Sequence, residues 1–278
     1  MYNKPKKGRE FMSKQDNALS KEIGFFTDTG LEIHGSQPIF PICQWINPAN
    51  SEFKFVGTAF FISQNIFLTA KHVLLEPSND KVLDRVFAFS FHENNTYFQR
   101  SISKIVALNK GDIALGVLRP FVHNETKAQL QNKILTLDVS DCEVQHTVAT
   151  YAYPLSKIIS STEKTIADFQ CNFEKGIITE VLLNGRDRVM LPGPCYQTNM
   201  NIRGGASGGP VFNQHGKVIG VNSTGWEGFD DTISYVSRIH EALNLTLDDV
   251  NIPNQKKNQF SIRELAELGF VSISNDNQ

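Results

Sequence analysis

The 278-residue sequence has no strong net charge and no long apolar run. Its formal net charge is −2 at pH 7, so no field of one sign points to nucleic acid as the main partner. No apolar stretch approaches the roughly 18 residues of a membrane-spanning helix, and we expect no membrane contact. The basic run at residues 4–9 is not followed by an apolar segment, which disfavours a secretory signal. We therefore expect a soluble, cytoplasmic protein.

Cysteine is scarce, and its four copies are far apart in the sequence. Cys43, Cys142, Cys171 and Cys195 form no Cys-x-x-Cys pair. An even number permits two disulfides, but four reduced thiols are favoured because a secretory signal is missing. We predict neither a metal nor a cofactor.

Short apolar segments separated by turns make up most of the chain. The first group, at about 36–120, comprises FKFVGTAFFIS, NIFLTA, RVFAFSFH, YFQRSISKIVAL and GDIALGVL. The second, at about 144–237, comprises HTVATYAY, GIITEVLL, DRVML, CYQTN, GPVFN, KVIGVN and TISYVS. The mixed polar stretch 119–143 between them is typical of a connector. Two clusters of short strands predict an all-β protein built from two barrels or sandwiches.

The two ends of the chain depart from this pattern. Residues 1–35 are polar and irregular, and we interpret them as an N-terminal extension of a main domain at 36–245. The hydrophobic spacing becomes helical at Ser237–Leu245 and again at Ser261–Leu268. Ser261 and Glu264 have the spacing of a capping box. We predict a helical C-terminal tail at 246–278.

The segment GGASGGPVFN, Gly204–Asn213, surrounds Ser207 with residues that have little or no side chain. A serine hydroxyl becomes a nucleophile only when a base takes its proton and hydrogen-bond donors receive the developing oxyanion. Glycines allow backbone N–H groups to converge on one point. The same segment also fits a glycine-rich hairpin, so the choice depends on whether the chain supplies a base and a group to orient it.

His72 and Asp112 meet that requirement. His72, in FLTAKHVL, follows the end of an apolar strand, where a side chain can enter a cleft. Asp112, in GDIALGVL, begins an almost wholly apolar strand, where a carboxylate needs solvent or a hydrogen-bonding partner. A histidine whose charged form it stabilises would be such a partner. The other six histidines are in positions typical of the surface or of the edge of the core.

These three segments together resemble the trypsin-like (chymotrypsin-fold) serine peptidases, in the order His, Asp, Ser with separations of 40 and 95 residues. The resemblance covers about residues 40–240 and implies two six-stranded antiparallel β-barrels with a short C-terminal helical segment. It implies that Ser207 is the nucleophile, His72 the general base and later acid, and Asp112 the group that orients the imidazole. The implied oxyanion hole is formed by the backbone N–H groups of Gly205 and Ser207.

The resemblance also points to substrate-binding positions, which are Asn201, Ile202, Asn222, Ser223, Thr224 and Gly225. The last three match the segment that pairs with an extended substrate and forms one wall of the specificity pocket. Glutamyl-specific relatives carry Thr and His where this sequence has Ile202 and Asn222. Asn201 stands six positions before the serine, where an Asp would select basic side chains. The resemblance therefore implies an uncharged P1 residue.

Two departures from the family indicate which of its branches this sequence resembles. Ala206 replaces the Asp that pairs with a newly cleaved N-terminus, so activation by such cleavage is not expected. Val73 replaces the Cys that follows the histidine in many members, and none of the family's usual disulfides can be placed. The sequence thus resembles the bacterial, disulfide-free branch with HtrA-like and glutamyl-specific members, without a PDZ-like module.

The resemblance implies a serine endopeptidase that cleaves protein or peptide substrates through an acyl-enzyme. Two alternatives stay open. One is a catalytically latent or inactive binding module of the same fold, and the other is an esterase or acyltransferase with the same triad. A regulatory protein partner that contacts the ends of the chain is a further expectation.

Overall fold

The computed structural model describes residues 25–26, 32–33, 35–92, 96–122, 127–160, 165–227 and 232–274. Most of the predicted N-terminal extension lies outside these residues. Within it, strand β1 (Phe25–Phe26) pairs with β2 (Glu32–Ile33) in antiparallel orientation. No helix in the described ranges has the length and apolar character needed to cross a membrane.

Six antiparallel strands form the first closed barrel. They are β3 (Ile39–Asn47), β4 (Glu52–Phe61), β5 (Ile66–Thr69), β6 (Val86–His92), β7 (Thr96–Ala107) and β8 (Ala114–Leu118). The order around the barrel is β3-β4-β5-β8-β7-β6. Its core is rich in phenylalanine, and the ring centroids of Phe40 and Phe61 are 4.4 Å apart. A one-turn helix, α1 (Lys71–Leu74), follows β5 directly.

The second half of the chain forms another closed barrel of six antiparallel strands. In chain order the strands of this half are β9 (Leu137–Asp138), β10 (Thr147–Ala152), β11 (Lys157–Ser160), β12 (Thr165–Asp168), β13 (Asn172–Leu182), β14 (Cys195–Thr198), β15 (Pro210–Phe212), β16 (Val218–Glu227) and β17 (Thr232–Arg238). The barrel order is β10-β13-β14-β17-β16-β15, and β15 pairs back with β10. Strands β11 and β12 form a separate hairpin, and β9 adds to β16 in parallel. Two six-stranded barrels confirm the predicted fold class.

The C-terminal segment packs against the barrels. A 3-10 helix occupies Ile239–Asn244, within the first of the two predicted helical stretches. Next come β18 (Thr246–Leu247), β19 (Phe260–Ser261), α2 (Ile262–Glu267) and β20 (Ile273–Ser274), which extends β9. The capping box is present, since Ser261 Oγ accepts from the N–H of Glu264 and the Glu264 carboxylate accepts from the N–H of Ser261. The described part of the predicted tail is therefore one short helix with short strands, buried through Phe260 and Ile262.

The prediction of a strand at DRVML, residues 187–191, is wrong. The segment is a turn, because the Asp187 carboxylate accepts hydrogen bonds from the N–H groups of Val189 (2.8 Å) and Met190 (2.6 Å). This local bonding competes with strand pairing and also lowers the pKa of Asp187 to about 2. The four cysteines are free thiols in the structure, as favoured from the sequence.

Candidate active site

His72 and Asp112 are brought together by the pairing of β5 with β8. Thr69 at the end of β5 lies opposite Ala114 at the start of β8, so the residues just beyond these ends are neighbours. His72 Nδ1 lies 2.8 Å from Asp112 Oδ2 and 3.0 Å from Oδ1. The backbone N–H of His72 also donates to Oδ1 at 3.1 Å. The carboxylate is thus fixed by both the ring and the backbone of the same histidine.

The environment of His72 favours its charged form. Burial lowers the pKa of the imidazole, but the hydrogen bond to Asp112 and the negative charge of that carboxylate outweigh burial, so the pKa is raised above its ordinary value. Asp112 is 9% exposed in its side chain and His72 is 36% exposed. With Nδ1 bonded to Asp112, the Nε2 lone pair is available to accept a proton.

Ser207 lies in the loop between β14 and β15 and contacts the first barrel. Its carbonyl accepts a hydrogen bond of 2.8 Å from the N–H of Thr58 in β4. The next residue, Gly208, has φ +86°, and a Cβ there would lie 2.1 Å from both the Thr58 carbonyl and the Thr69 hydroxyl. Only glycine allows this approach. The loop consequently reaches the end of β5, from which α1 and His72 continue.

The Ser207 hydroxyl donates to the backbone carbonyl of Ser223 at 3.1 Å and not to His72. Ser223 is almost fully buried, and its own hydroxyl is 2.8 Å from that of Ser237. Transfer of the Ser207 proton to His72 therefore requires the hydroxyl to leave Ser223. Such rearrangements between free and substrate-bound states are common in active sites.

A tight turn precedes Ser207 and presents unused donors. The N–H of Ala206 donates to the carbonyl of Arg203 at 3.0 Å, and Gly205 at the third position has φ +92°, which defines a type II turn. A Cβ on Gly205 would lie 2.5 Å from the Phe55 ring, so glycine is required there. Within the described part of the chain, the N–H groups of Gly205 and Ser207 donate to no acceptor.

The predicted pocket residues lie in two places, at the walls of the pocket and behind the serine turn. The carbonyl of Ile202 lies against Gly225, where a Cβ would be only 2.2 Å from that oxygen, so the two predicted walls touch. Asn201 and Thr224 lie half-buried beside them. Asn222 is fully buried and donates to the Thr150 hydroxyl and, more weakly, to the Ala206 carbonyl. The structure thus places Asn222 behind the serine turn, where it supports the backbone.

Thr58 and Thr69 also belong to the site, and the sequence analysis did not single them out. The Thr58 hydroxyl donates to the carbonyl of Gly205 at 2.9 Å, and the Thr69 hydroxyl donates to the carbonyl of Thr58 at 2.6 Å. For Thr58, the signal available in the sequence was a polar residue within an apolar strand, between Gly57 and Ala59. In the structure Thr58 is fully buried.

Two closed six-stranded barrels, with the Ser207 loop of the second reaching the end of β5 that leads to His72 in the first, define the class of chymotrypsin-fold proteins. The family model described as "Trypsin-like peptidase domain" matches residues 57–221. The chain belongs to this family.

Named relatives and solved structures agree at the level of the fold. A glutamyl endopeptidase of Staphylococcus aureus (strain MRSA252) is 22% identical over 208 residues, covering 72% of this chain and 52% of the relative. The chain therefore spans about half the length of that relative. The structure of Deg5 is 19% identical with a TM-score of 0.51, over 74% of this chain and 85% of that one. The active form of the Rv3671c protease from M. tuberculosis is 15% identical with a TM-score of 0.53, over 86% and 84%.

Proposed function

We propose that the protein is a serine endopeptidase. The observation that carries this proposal is the His72–Asp112 hydrogen bond beside a serine whose turn presents two unused N–H groups. In this family, the same fold and residue order serve peptide hydrolysis.

The proposed reaction has two halves. Ser207 Oγ attacks the peptide carbonyl while its proton passes to His72 Nε2, and the N–H groups of Gly205 and Ser207 bind the resulting oxyanion. The C–N bond breaks as His72 protonates the leaving amine, which leaves an acyl group on Ser207. A water molecule then gives a proton to His72 and attacks the acyl carbonyl. The bond between the acyl carbon and Ser207 Oγ breaks as His72 returns the proton to Oγ, which releases the acid and restores the Ser207 hydroxyl. Asp112 stabilises the charged imidazole in both halves.

We further propose an uncharged P1 residue of modest size. Asn201 and Ile202 carry no charge, and the amide nitrogen of Asn222 is already bonded to Thr150. A buried carboxylate or ammonium group requires a compensating partner, which these residues do not supply. The contact between Ile202 and Gly225 leaves little width for a large flat side chain. The staphylococcal relatives are named glutamyl endopeptidases, and this neutral pocket argues against the same selectivity here.

Labelling with a fluorophosphonate probe tests the proposal. We expect the wild type to be labelled at Ser207, Ser207→Ala to be unlabelled, and His72→Ala to react on the order of 10³-fold more slowly. His215→Ala is the matched control, because His215 lies in an exposed turn of the second barrel and should leave labelling unchanged. Cleavage of a protein substrate such as casein separates a peptidase from an esterase. A wild type that resists the probe and cleaves no protein contradicts the proposal.

A latent form of the same enzyme is the second candidate function. Two observations favour it: the Ser207 hydroxyl is bonded to Ser223, and the walls at Ile202 and Gly225 touch. A latent enzyme would react slowly with the probe alone and faster once a peptide or protein partner has opened the pocket. Labelling rates measured with and without added peptide mixtures distinguish the two states.

A further inference from the structure

Thr58 lies in β4 at the contact between the two barrels and is fully buried. The ladder between β4 and β5 begins with the pair Ala59 and Thr69, so Thr58 lies one residue beyond it. Its backbone groups therefore find partners outside that ladder. The N–H donates to the carbonyl of Ser207 at 2.8 Å, and the carbonyl accepts from the Thr69 hydroxyl at 2.6 Å.

The Thr58 hydroxyl uses both its donor and an acceptor site. It donates to the carbonyl of Gly205 at 2.9 Å and accepts from the N–H of Tyr153 at 3.2 Å. A hydroxyl has only one proton to donate, so that proton is committed to Gly205. Removing the hydroxyl leaves both the Gly205 carbonyl and the Tyr153 N–H without this partner in a buried place.

Three consecutive carbonyls of the serine turn are anchored by hydrogen bonds, two of them to Thr58. The Thr58 hydroxyl holds Gly205, and the Thr58 N–H holds Ser207. The carbonyl of Ala206 accepts from the N–H of Gly209 at 3.0 Å. A trans peptide unit is planar, and its C=O and N–H point in opposite directions. Anchoring the Ala206 carbonyl therefore aims the N–H of Ser207 the other way, towards the open side of the turn.

The direction of the remaining donor, the N–H of Gly205, depends on the type of turn. Type I and type II turns differ by a flip of the central peptide unit, and only type II has a positive φ at the third residue. Gly205 has φ +92°. Its carbonyl, which the Thr58 hydroxyl holds, belongs to the next peptide unit, Gly205–Ala206, whose N–H donates to the carbonyl of Arg203, so this neighbouring unit is fixed on both sides. A flip of the Gly204–Gly205 peptide would turn the N–H away from the Ser207 side.

We propose that the Thr58 hydroxyl is a positioning group for the oxyanion site. It holds the Gly205–Ala206 peptide unit, which lies between the two peptide units that carry the N–H groups of Gly205 and Ser207, so that both donors are aligned before substrate binds. Thr58 does not touch the substrate and acts only through the turn. This inference rests on the proposed peptidase function and adds a residue from the first barrel to a turn of the second.

Thr58→Val and Thr58→Ser test the inference. Valine keeps the branched shape but has no hydroxyl, whereas serine keeps the hydroxyl and loses one methyl group. We expect Thr58→Val to slow fluorophosphonate labelling, and kcat on a peptide substrate, by about 10²-fold, the typical effect of losing one oxyanion donor. KM should change by less than about threefold, because ground-state binding is not affected. Thr58→Ser should keep the rate within about fivefold of the wild type.

Thr136→Val is the matched control. The Thr136 hydroxyl bonds to that of Ser272 at 3.1 Å, beside β9 and β20 and outside the serine turn. This variant should label at the wild-type rate. Rates are measured well below the unfolding midpoint of each variant, so that a loss of rate does not reflect unfolding. If Thr58→Val does not fold, Thr58→Cys replaces it, because the thiol is a weak donor of similar size; we then expect a loss of about tenfold.

The outcomes separate the two proposals. A Thr58→Val enzyme with the wild-type rate overturns the positioning role while the peptidase proposal stands. Equal losses in Thr58→Ser and Thr58→Val also overturn it, because shape and not the hydroxyl would then matter. A wild type that reacts with neither probe nor substrate overturns both proposals.

Discussion

Asp112 is held by His72 at two points, the ring Nδ1 at 2.8 Å and the backbone N–H at 3.1 Å. The backbone contact fixes the carboxylate in place, and the ring contact fixes the tautomer of the imidazole. The Asp112 carboxylate accepts two hydrogen bonds from His72, whereas an Asn side chain has an NH₂ donor in place of one oxygen. Replacement of Asp112 by Asn should therefore disturb this pair.

Asp112→Asn should reduce kcat strongly without unfolding the protein. The amide is nearly isosteric but does not stabilise the imidazolium and favours the wrong tautomer, for which a loss of about 10⁴-fold is typical. Steady-state kinetics with circular dichroism as a folding check measures this effect. The matched control is Asp80→Asn, which breaks an exposed ion pair with Lys71 and should leave kcat within about twofold. A loss below about tenfold in Asp112→Asn would show that the pair does not serve catalysis.

The activity should rise with pH through a value above the ordinary pKa of histidine. The base form of His72 must be neutral, and the hydrogen bond and charge of Asp112 raise its pKa despite burial. In Asp112→Asn only burial remains, which lowers the pKa, so the residual activity should have its midpoint at lower pH than the wild type. A pH profile of kcat/KM for both proteins measures the two midpoints. Equal midpoints, or a shift to higher pH in the variant, contradict this assignment.

Gly208→Ala should destabilise the fold as well as abolish activity. The residue has φ +86°, and a Cβ would lie 2.1 Å from the Thr58 carbonyl and the Thr69 hydroxyl. We expect a loss of more than about 2 kcal/mol in the free energy of unfolding. Gly204→Ala is the control, since a Cβ there meets nothing within 4 Å, and its effect on stability should stay within about 1 kcal/mol. Similar unfolding midpoints in urea for both variants would show that the barrels do not approach as closely as described.

Peptide-library profiling should give no strong preference for Arg, Lys or Glu at P1. The neutral residues Asn201 and Ile202 and the closed contact with Gly225 favour small or medium uncharged side chains. Gly225→Ala should reduce peptide cleavage more than probe labelling, because its methyl group intrudes on the Ile202 carbonyl and not on Ser207. A sharp preference for a charged P1 residue would require a counter-charge from another loop and would overturn the neutral-pocket proposal.

The sequence predicted the features that depend on local context. Ser207, His72 and Asp112 each lie where an apolar strand meets a polar turn. The alternation of strands and turns predicted two barrels or sandwiches, and the resemblance to the trypsin-like peptidases predicted two six-stranded barrels. Strand β3 was not predicted, because Pro41 within it weakens the strand pattern. The role of Thr58 could not be predicted, since its hydroxyl bonds to a carbonyl 147 residues away. Such a contact exists only after both barrels have formed and docked.

The serine turn belongs to the second barrel, but residues of the first barrel hold it in place. Thr58, Phe55 and Thr69 of the first barrel touch Gly205 and Gly208 of the second, while His72 and Asp112 both belong to the first. In the proposed peptidase, the rate of acylation therefore depends on how the two barrels pack against each other. A substitution deep in either core that shifts the docking by a fraction of an ångström should appear first as a slower enzyme, before any loss of folded protein is detectable.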